Sequence, residues 1–353
     1  MKTTLYDVLI KNADFIIHNE PRPGHNGPYS DTETIIRVYS HWAILLLKVF
    51  QITGKNQYKD RAIEFINYFF SNDARPYGFT FHHRNKKKKD KCNGLIGQAW
   101  TIEALIYAYE VLGNNKYKGL AEEVFLLHKF NNTIGFWRKR EIDGTNLWFD
   151  MTFNHQLWFA MIGALIPNQT IKQQVNRFMD RLDNNIWIHQ NGLIRHFILA
   201  GVTTPIYLAK KSLLNRNINK NYLYEKEIGY HAFNCYALSV LKEKYPNQQF
   251  WGSNTFMKIM DYIISDEHLS VSEKNKYGFP YNPSGIETAF FVFMFKDLII
   301  NHEEIMKERL EVQFKRSLDV DTGLLINNTN DPNNLSARIY EAVRLPNIDL
   351  QIL

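Results

Sequence analysis

A repeated pair of helices joined by a tight turn is the feature of this sequence that most restricts its fold. Apolar residues fill positions 43–47 and 104–108, and each run leads into a glycine, Gly54 or Gly113. After each glycine the same spacing of tyrosine, alanine and an apolar residue returns, 59 residues apart. Because glycine adopts the left-handed backbone of a helix C-cap without a side-chain clash, each copy predicts a helix, a turn and a second helix.

Helical periodicity continues along the chain in two alternating types. In the first type, apolar residues cover nearly the whole circumference, which is typical of a helix buried on most sides. These segments are 32–53, 94–112, 151–166, 228–244, 284–300 and a shorter one at 335–345. In the second type, apolar residues recur three or four positions apart, which indicates one buried face. These segments are 3–19, 55–71, 115–129, 169–183, 250–265 and 301–319.

Six buried helices that alternate with six half-buried helices predict two concentric rings, the all-α (α/α)6 toroid, as a single domain over residues 1–353. A length of 353 residues alone favours about two domains, but a repeat along the whole chain favours one core. A stacked helical solenoid is the alternative, and irregular loop lengths together with the burial of one helix set favour the closed ring. No segment has the period of two that a large sheet requires.

Composition and charge exclude other classes of protein. Apolar residues make up 45% and charged residues 22%, which is typical of a globular chain. No run of about 18 uncharged apolar residues predicts a transmembrane segment, and residues 1–10 lack a signal-peptide core, so a cytoplasmic location is expected. The net charge of +6 comes largely from the lysine run 86–89, which is typical of a solvated loop and lacks any nucleic-acid-binding motif. Nothing indicates an oligomeric state.

The connections between helices differ in length. Each buried helix leads into the next half-buried helix by a short turn, whereas the return connections are long. The long connections are 72–93, 130–150, 184–227, 266–283 and 320–334. Since successive helices run in opposite directions, all long loops meet on one face, beside the N-termini of the inner helices, whose free N–H groups favour anions. A cleft on this face is the predicted functional site.

Aromatic, amide, histidine and arginine side chains crowd the long loops, and this combination suits carbohydrate. Aromatic rings pack on the C–H faces of sugars, while the hydroxyl groups require donors and acceptors. The expected partner is therefore an oligosaccharide or polysaccharide, and the basic loop 86–89 is compatible with an acidic one. The strongest segment begins at Asp150, the predicted general acid/base, with Asn154, His155 and Trp158 on the following turns. A plain N-cap role for Asp150 is the alternative.

Candidate partner carboxylates for Asp150 are Glu287, Asp31 and Glu103. Glu287 completes a capping box with Ser284, and Asp31 lies in a second such box. Glu103 lies in the middle of an apolar helix, where a carboxylate needs a partner or a raised pKa.

Arg338 and Glu341 lie three positions apart, which allows a helical ion pair or the binding of a sugar carboxylate by Arg338. The other predicted substrate-binding residues are His82, Asn93, Gln98, Trp100, Arg195, His196, His231 and Asn282. No HExxH-type spacing and no glycine-rich phosphate motif occurs, so neither a metal nor a nucleotide cofactor is expected. Cys92 and Cys235 form no CxxC motif, which argues against a disulfide framework or a thiolate zinc site.

Several motifs resemble known families. The segments that resemble six-hairpin proteins of bacterial exopolysaccharide and capsule biosynthesis clusters are 93–100, 153–158, 282–287 and 337–342. This resemblance implies a role in surface polysaccharide metabolism. Asp150 and Asn154 are similar to the Asp-x-x-x-Asn of unsaturated glucuronyl hydrolases, which implies that Asp150 hydrates the double bond of an unsaturated uronic acid. The same toroid in N-acylglucosamine 2-epimerases uses lumenal histidines, which His155 and His231 would match.

Three functions follow from these patterns. The leading one is a glycoside hydrolase with Asp150 as general acid/base, in which the separation of two carboxylates would set the stereochemistry. The second is a lyase or epimerase in which His155, His196, His231 or a tyrosine moves a proton next to a carboxylate. The third is a non-catalytic glycan-binding protein of a polysaccharide-assembly complex.

Overall fold

Two concentric rings of helices make up the computed structural model, which describes residues 2–198 and 220–352. The inner ring contains α2 (Ile36–Thr53), α4 (Gly94–Leu112), α6 (Phe153–Leu165), α9 (Lys220–Lys244), α12 (Ser284–Met294), and α14 (Pro332–Ala337) continued by the 3-10 segment Arg338–Arg344. The outer ring contains α1 (Leu5–His18), α3 (Asn56–Tyr68), α5 (Asn115–Leu126), α7 (Gln169–Met179), α10 (Asn254–Ile264) and α13 (His302–Ser317). Two shorter helices, α8 (Leu182–Asn185) and α11 (Asp266–Lys274), lie in the connections.

The inner ring is closed. Helix α2 packs on α4, α4 on α6, α6 on α9 and α9 on α12, and the segment 338–344 contacts both α12 and α2. The two ends of the chain meet as well, because β1 (Lys2–Thr4) pairs antiparallel with β5 (Asp349–Gln351). This closure confirms the predicted single-domain (α/α)6 toroid over the stacked solenoid, whose first and last repeats would lie apart.

The repeated turns form as the glycines predict. Gly54 and Gly113 have φ of 70° and 69° and end α2 and α4, and each donates its N–H to the carbonyl four residues earlier. The next outer helix then starts within three residues. The outer helix α7 begins at Asn168, whose side chain accepts the N–H groups of the first turn. Short turns on one face and long connections on the other follow from this arrangement.

The long connections contain more regular structure than the sequence predicted. Connection 130–150 folds into an antiparallel sheet of β2 (Phe130–Asn131), β3 (Phe136–Arg140) and β4 (Asn146–Phe149). Connection 266–283 contains α11, and connection 320–334 includes the start of α14. Strands of two to five residues are too short to give a clear period of two, which explains why the pattern missed them.

Helix α9 begins at Lys220, eight residues before the predicted start at 228. Its first two turns carry charged residues and no continuous apolar face, so hydrophobic periodicity does not detect them. The part of connection 184–227 that spans 199–219 lies outside the described residues. Among the helices that the structure describes, none is long and apolar enough to cross a lipid bilayer.

Histidines buried in neutral form link the stability of this fold to pH. His268 and His128 are 2% and 1% exposed, and burial lowers their pKa to about 3 and about 4. Below pH 6.5 the unfolded chain binds protons at these rings that the folded chain does not bind. The free energy of unfolding therefore falls as the pH drops from 6.5 towards these lower values.

We expect His268→Gln to flatten this pH dependence. Between pH 7 and pH 4.5 the variant should lose roughly 2–3 kcal/mol less of its unfolding free energy than the unmodified protein, measured by urea unfolding. The matched control is His302→Gln, at the partly exposed start of α13, which should keep the original slope. Equal slopes in the two variants would show that His268 is not buried in neutral form.

Candidate functional site

A cavity opens on the face of the long connections, at the N-terminal ends of the inner helices. Its volume is about 150 Å³. Aromatic side chains of the wall are Tyr29, Trp100, Tyr230, Phe233 and Tyr281. Side-chain amides of the wall are Asn26, Asn93, Asn154 and Asn282. All six inner segments or the connections that lead into them contribute to this wall.

The charged groups of the wall are cationic. They are Arg37, Arg84, Lys89, Lys226 and Arg338, with His155 and His196 beside them. Among the described residues, no aspartate or glutamate lines this cavity. The carboxylates lie one layer behind, where they hold most of these cations in place. The surface that a ligand meets therefore favours negative charge.

Asp150 and His155 form a hydrogen-bonded pair at this wall. The Asp150 carboxylate accepts a hydrogen bond from His155 Nδ1 at 2.8 Å and from the backbone N–H of Leu95 at 3.2 Å through the same Oδ2 atom. Its Oδ1 atom accepts the N–H of Thr152 at 3.3 Å. The His155 ring is 25% exposed and lines the cavity. With Nδ1 bound to the carboxylate, Nε2 is the ring nitrogen left for a ligand.

The charge of Asp150 is fixed by its surroundings. Burial alone would raise the pKa of this carboxyl group, but His155, the nearby Lys139 and the N–H of Leu95 together lower it below its ordinary value. Asp150 is thus ionised at neutral pH. An ionised carboxylate on Nδ1 sets the tautomer and orientation of the imidazole ring and stabilises its protonated form.

Gly94 allows the start of α4 to approach this pair. Its φ is +62°, and a Cβ atom at this position would lie 2.5 Å from Asp150 Oδ2 and 3.0 Å from His155 Nδ1. The first distance is far shorter than a carbon–oxygen contact allows. Any side chain at position 94 would therefore displace the carboxylate or the ring.

Arg338 is held from behind by two carboxyl groups. Its Nη2 atom lies 2.6 Å from Glu287 Oε1, and its Nε donates to Glu341 Oε1 at 2.8 Å. Its Nη1 donates to Asn282 Oδ1, and its guanidinium lies 4.9 Å from the centre of the Phe233 ring. Burial and the proximity of Glu341 raise the pKa of Glu287, and burial raises the pKa of Glu341 to about 6. The two carboxyl groups lie against one guanidinium, and burial disfavours the ionised form of each.

Arg37 is a buried cation of the cavity wall with two donor atoms that lack a described partner. It lies in the first turn of α2, is 1% exposed, and stacks on Trp100 at 4.0 Å from the ring centre. Its Nη1 donates to Glu33 at 3.0 Å and to Asn26 at 3.3 Å. In the described part of the chain, its Nε and Nη2 atoms have no partner, and neither do Trp100 Nε1 and Asn154 Oδ1. All four atoms belong to residues of one cavity wall.

The basic loop packs against the edge of the cavity. The buried Asp31 carboxylate accepts hydrogen bonds from Lys89 at 2.8 Å and from Arg84 at 3.2 Å. Lys86 donates to the carbonyl of Ser30 at 2.7 Å. Burial alone would raise the pKa of Asp31, but Lys89, Asn26 and Arg84 lower it. The sequence predicted a solvated loop, and the structure instead brings part of the basic run to the site.

The predicted site residues fall into three groups. Those that line the cavity are Asn93, Trp100, Asn154, His155, His196, Asn282 and Arg338. Those one contact behind the lining are Asp150, Asp31, Glu287 and Glu341. Those that the structure does not bring to the cavity are His82, Gln98, Trp158, Arg195 and His231.

The third group has structural contacts instead. Gln98 bonds both backbone groups of Phe81, at 2.8 and 2.9 Å, and ties the loop to α4. Trp158 is fully buried and donates its ring N–H to the carbonyl of Phe233 at 3.0 Å. The central Glu103 also has partners away from the cavity, because it accepts bonds from Tyr340 and Arg344, each at 3.1 Å.

Three further residues of the predicted set lie outside the wall. His231 is fully buried and packs 5.2 Å from the ring of His268. His82 bonds Asn85 at 2.9 Å within its loop. Arg195 stacks over Trp187, with the guanidinium 4.2 Å from the ring centre.

Four cations of the wall were not among the predicted site residues, namely Arg37, Arg84, Lys89 and Lys226. Arg37 is the one charged residue between 36 and 47, on an inner helix that is otherwise apolar or weakly polar, and that isolation was a usable signal. Lys226 lies in a segment that was predicted to be a loop, so its place on an inner helix could not be predicted. Within the described residues, no group of three histidine, cysteine, aspartate or glutamate side chains could hold a metal ion.

Comparison with known proteins now adds to this geometry. No family model matches the chain. The chain is 35% identical to archaeal glycosylation protein Q of Haloferax volcanii. The alignment has 375 positions and covers 99% of this chain and 100% of that protein. This chain belongs to the archaeal glycosylation protein Q family. The bacterial exopolysaccharide context expected from the sequence stays a prediction.

Solved structures share the toroid at low identity. A sugar epimerase from a ruminal bacterium has a TM-score of 0.64 at 11% identity, covering 96% of this chain and 98% of that one. An unsaturated glucuronyl hydrolase from Streptococcus agalactiae has a TM-score of 0.61 at 10% identity, covering 96% and 89%. An α-1,6-mannanase of Salegentibacter has a TM-score of 0.57 at 10% identity, covering 96% and 98%. These likenesses confirm the fold and do not distinguish among reactions.

Replacement of Gly94 by alanine tests the close approach to the Asp150–His155 pair. Gly113 is the matched control, because it has a similar φ of +69° but open space where a Cβ would lie. Both variants should lose about 1 kcal/mol from the left-handed backbone. Gly94→Ala should lose at least about 1 kcal/mol more in urea unfolding and shift the His155 imidazole resonances in NMR spectra. Equal losses and unchanged resonances would contradict the contact.

Proposed function

We propose that this protein is a carbohydrate-active enzyme that moves a proton on the carbon next to a sugar carboxylate, as an epimerase or a lyase of uronic acid residues. The observation that carries the proposal is the Asp150–His155 pair on the wall of a cationic cavity that no described carboxylate lines. The glycosylation role named in its archaeal relative and the sugar-directed activities named in proteins of the same fold support a carbohydrate substrate.

Arg37 is the proposed carboxylate-binding group. Its free Nε and Nη2 atoms form one edge of the guanidinium, which matches a carboxylate with two parallel hydrogen bonds. Removing a proton next to a carboxylate builds negative charge on its oxygens. A buried guanidinium stabilises that charge at the moment it develops, and the unpartnered Trp100 N–H adds a further donor.

His155 is the proposed base, acting through Nε2. Asp150 is then a positioning residue that holds Nδ1 and stabilises the imidazolium, in place of the general acid/base that the sequence favoured. Glu287 takes a similar supporting role, because it holds Arg338 from behind. His196 lines the same cavity and is a second candidate for returning the proton from another direction.

A hydrolase of the hydratase type is the second candidate. Hydrolysis by paired carboxylates requires two such groups beside the glycosidic bond, and the described wall offers none. Hydration of an unsaturated uronic acid requires only one acid–base group, which the Asp150–His155 pair would supply. The spacing of Asp150 and Asn154 at the start of an inner helix favours this reaction.

Solvent exchange tests the proposal. In D₂O with saturated uronic acid oligosaccharides, an epimerase should introduce one deuterium at the carbon next to the carboxylate, detected by mass spectrometry and NMR. A lyase should instead remove the hydrogen from that carbon, form a carbon–carbon double bond there and release the neighbouring sugar. His155→Gln should abolish this exchange. Asp150→Asn should slow it by about 10²- to 10⁴-fold with sugar binding retained, because the ring loses its orienting charge.

The matched control is Asp143→Asn, in the exposed hairpin turn of the same face, which should exchange at the original rate. Turnover of unsaturated uronides alone, with release of the neighbouring sugar, would favour the hydratase reaction. Saturable sugar binding without any conversion would favour the glycan-binding protein and contradict both enzymes.

Removal of the Arg37 charge tests carboxylate recognition. Because Arg37→Met alone would leave the buried Glu33 unpaired, we specify the double variant Arg37→Met with Glu33→Gln. Its affinity for uronic acids should fall at least about tenfold by calorimetry, as expected for the loss of a charge-assisted pair. The affinity for the corresponding neutral hexose should not change. Undiminished uronic acid binding in a folded double variant would contradict this role.

A further inference from the structure

The cations of the cavity wall differ in whether a carboxylate lies beside them to balance their charge. Four of them lie within 3.2 Å of a carboxylate oxygen. These four are Arg37, Arg84, Lys89 and Arg338. Lys226 is the exception, because no carboxylate of the described chain lies within 4 Å of its ammonium group. It is therefore the one wall cation that no described carboxylate contacts, and its polar partner is the Tyr222 hydroxyl.

Aromatic rings surround the Lys226 ammonium instead. It lies 4.8 Å from the ring centre of Tyr29, 4.5 Å from that of Tyr222 and 6.0 Å from that of Tyr277. Lys89 lies 5.2 Å from the same Tyr29 ring, so two ammonium groups flank one ring at the cavity. Burial and the charges of Lys89 and other lysines lower the pKa of Lys226. An anion at this point would relieve that repulsion.

Lys226 and the floor of the cavity are separated along α9. Lys226, Tyr230 and Phe233 follow one another at helical spacing, and all three line the cavity. The rise of an α-helix places Lys226 about 10 Å from Phe233 along the axis. Arg338 lies over Phe233, Arg37 over Trp100 and Lys226 over Tyr29, so the three cations occupy different parts of the wall. The cavity therefore has two separate positions for negative charge.

We propose that the substrate carries a second anionic group, which binds Lys226 while the reacting carboxylate binds Arg37. The substrate class is thus a uronic acid joined to another acidic unit, either a second acidic sugar or a phosphate ester. This inference rests on the proposed function, which supplies the first carboxylate. The Tyr29 and Tyr230 rings also line the cavity and offer the connecting sugar an aromatic surface.

Calorimetry with defined probes tests the second anion position. The first probe is whichever of glucuronic, galacturonic and mannuronic acid binds best, and the others are its 1-phosphate and its disaccharide. The unmodified protein should bind at least one two-anion probe about tenfold more tightly than the single acid. A preference for the phosphate identifies a phosphate ester, and a preference for the disaccharide identifies an acidic neighbouring sugar.

Lys226→Met should remove this preference and leave the affinity for the single acid within about twofold. The matched control is Lys276→Met, because Lys276 is exposed, pairs with Glu225 at 3.4 Å and does not line the cavity. A preference that survives in Lys226→Met, or that is absent from the unmodified protein, overturns the inference while Arg37-dependent binding of the single acid still supports the proposed function. Failure of every uronic acid to bind overturns both.

Discussion

The ionised carboxylate of Asp150 is the interaction on which the site depends. It accepts hydrogen bonds from the first turn of α4, from the residue before α6 and from the His155 ring. Two helices of the inner ring, α4 and α6, thus meet at two oxygen atoms. Gly94 makes this meeting sterically possible, since the backbone of α4 passes where any Cβ would touch the carboxylate. The orientation of His155 is therefore a consequence of how the inner ring packs.

A second layer of carboxylates gives the cavity its charge. Asp31, Glu33 and Glu287 each hold a cation of the wall, and none of them faces the ligand space. Their effect is to fix arginine and lysine side chains at defined positions, so that a ligand meets oriented donors without the entropy cost of ordering them. Burial raises the pKa of both Glu287 and Glu341, which disfavours a full negative charge on each of them behind Arg338.

The ring architecture could be predicted from the sequence because it depends on periodicity. Apolar residues around whole helices and the glycines at 54 and 113 establish which helices are inner and where each turns. The site could be predicted only in part. Several of its residues lie in the first turns of the inner helices, and the sequence does not show which of them face the axis of the ring. Asn154 and His155 reach the wall, whereas Trp158, two turns from Asp150, packs into the core.

The position of the carboxylates, in the cavity wall or one layer behind it, decides which reactions a site of this toroid can support. A carboxylate in the wall would protonate a glycosidic oxygen or activate water, as paired-carboxylate hydrolysis requires. A carboxylate one layer back acts on the substrate only through the cation or imidazole that it holds. In this chain the described carboxylates occupy the second layer, and a histidine and arginines occupy the first. A wall of this kind suits the removal of a proton beside a carboxylate. Its arginines bind the substrate carboxylate, its histidine accepts the proton, and no wall carboxylate repels the anion.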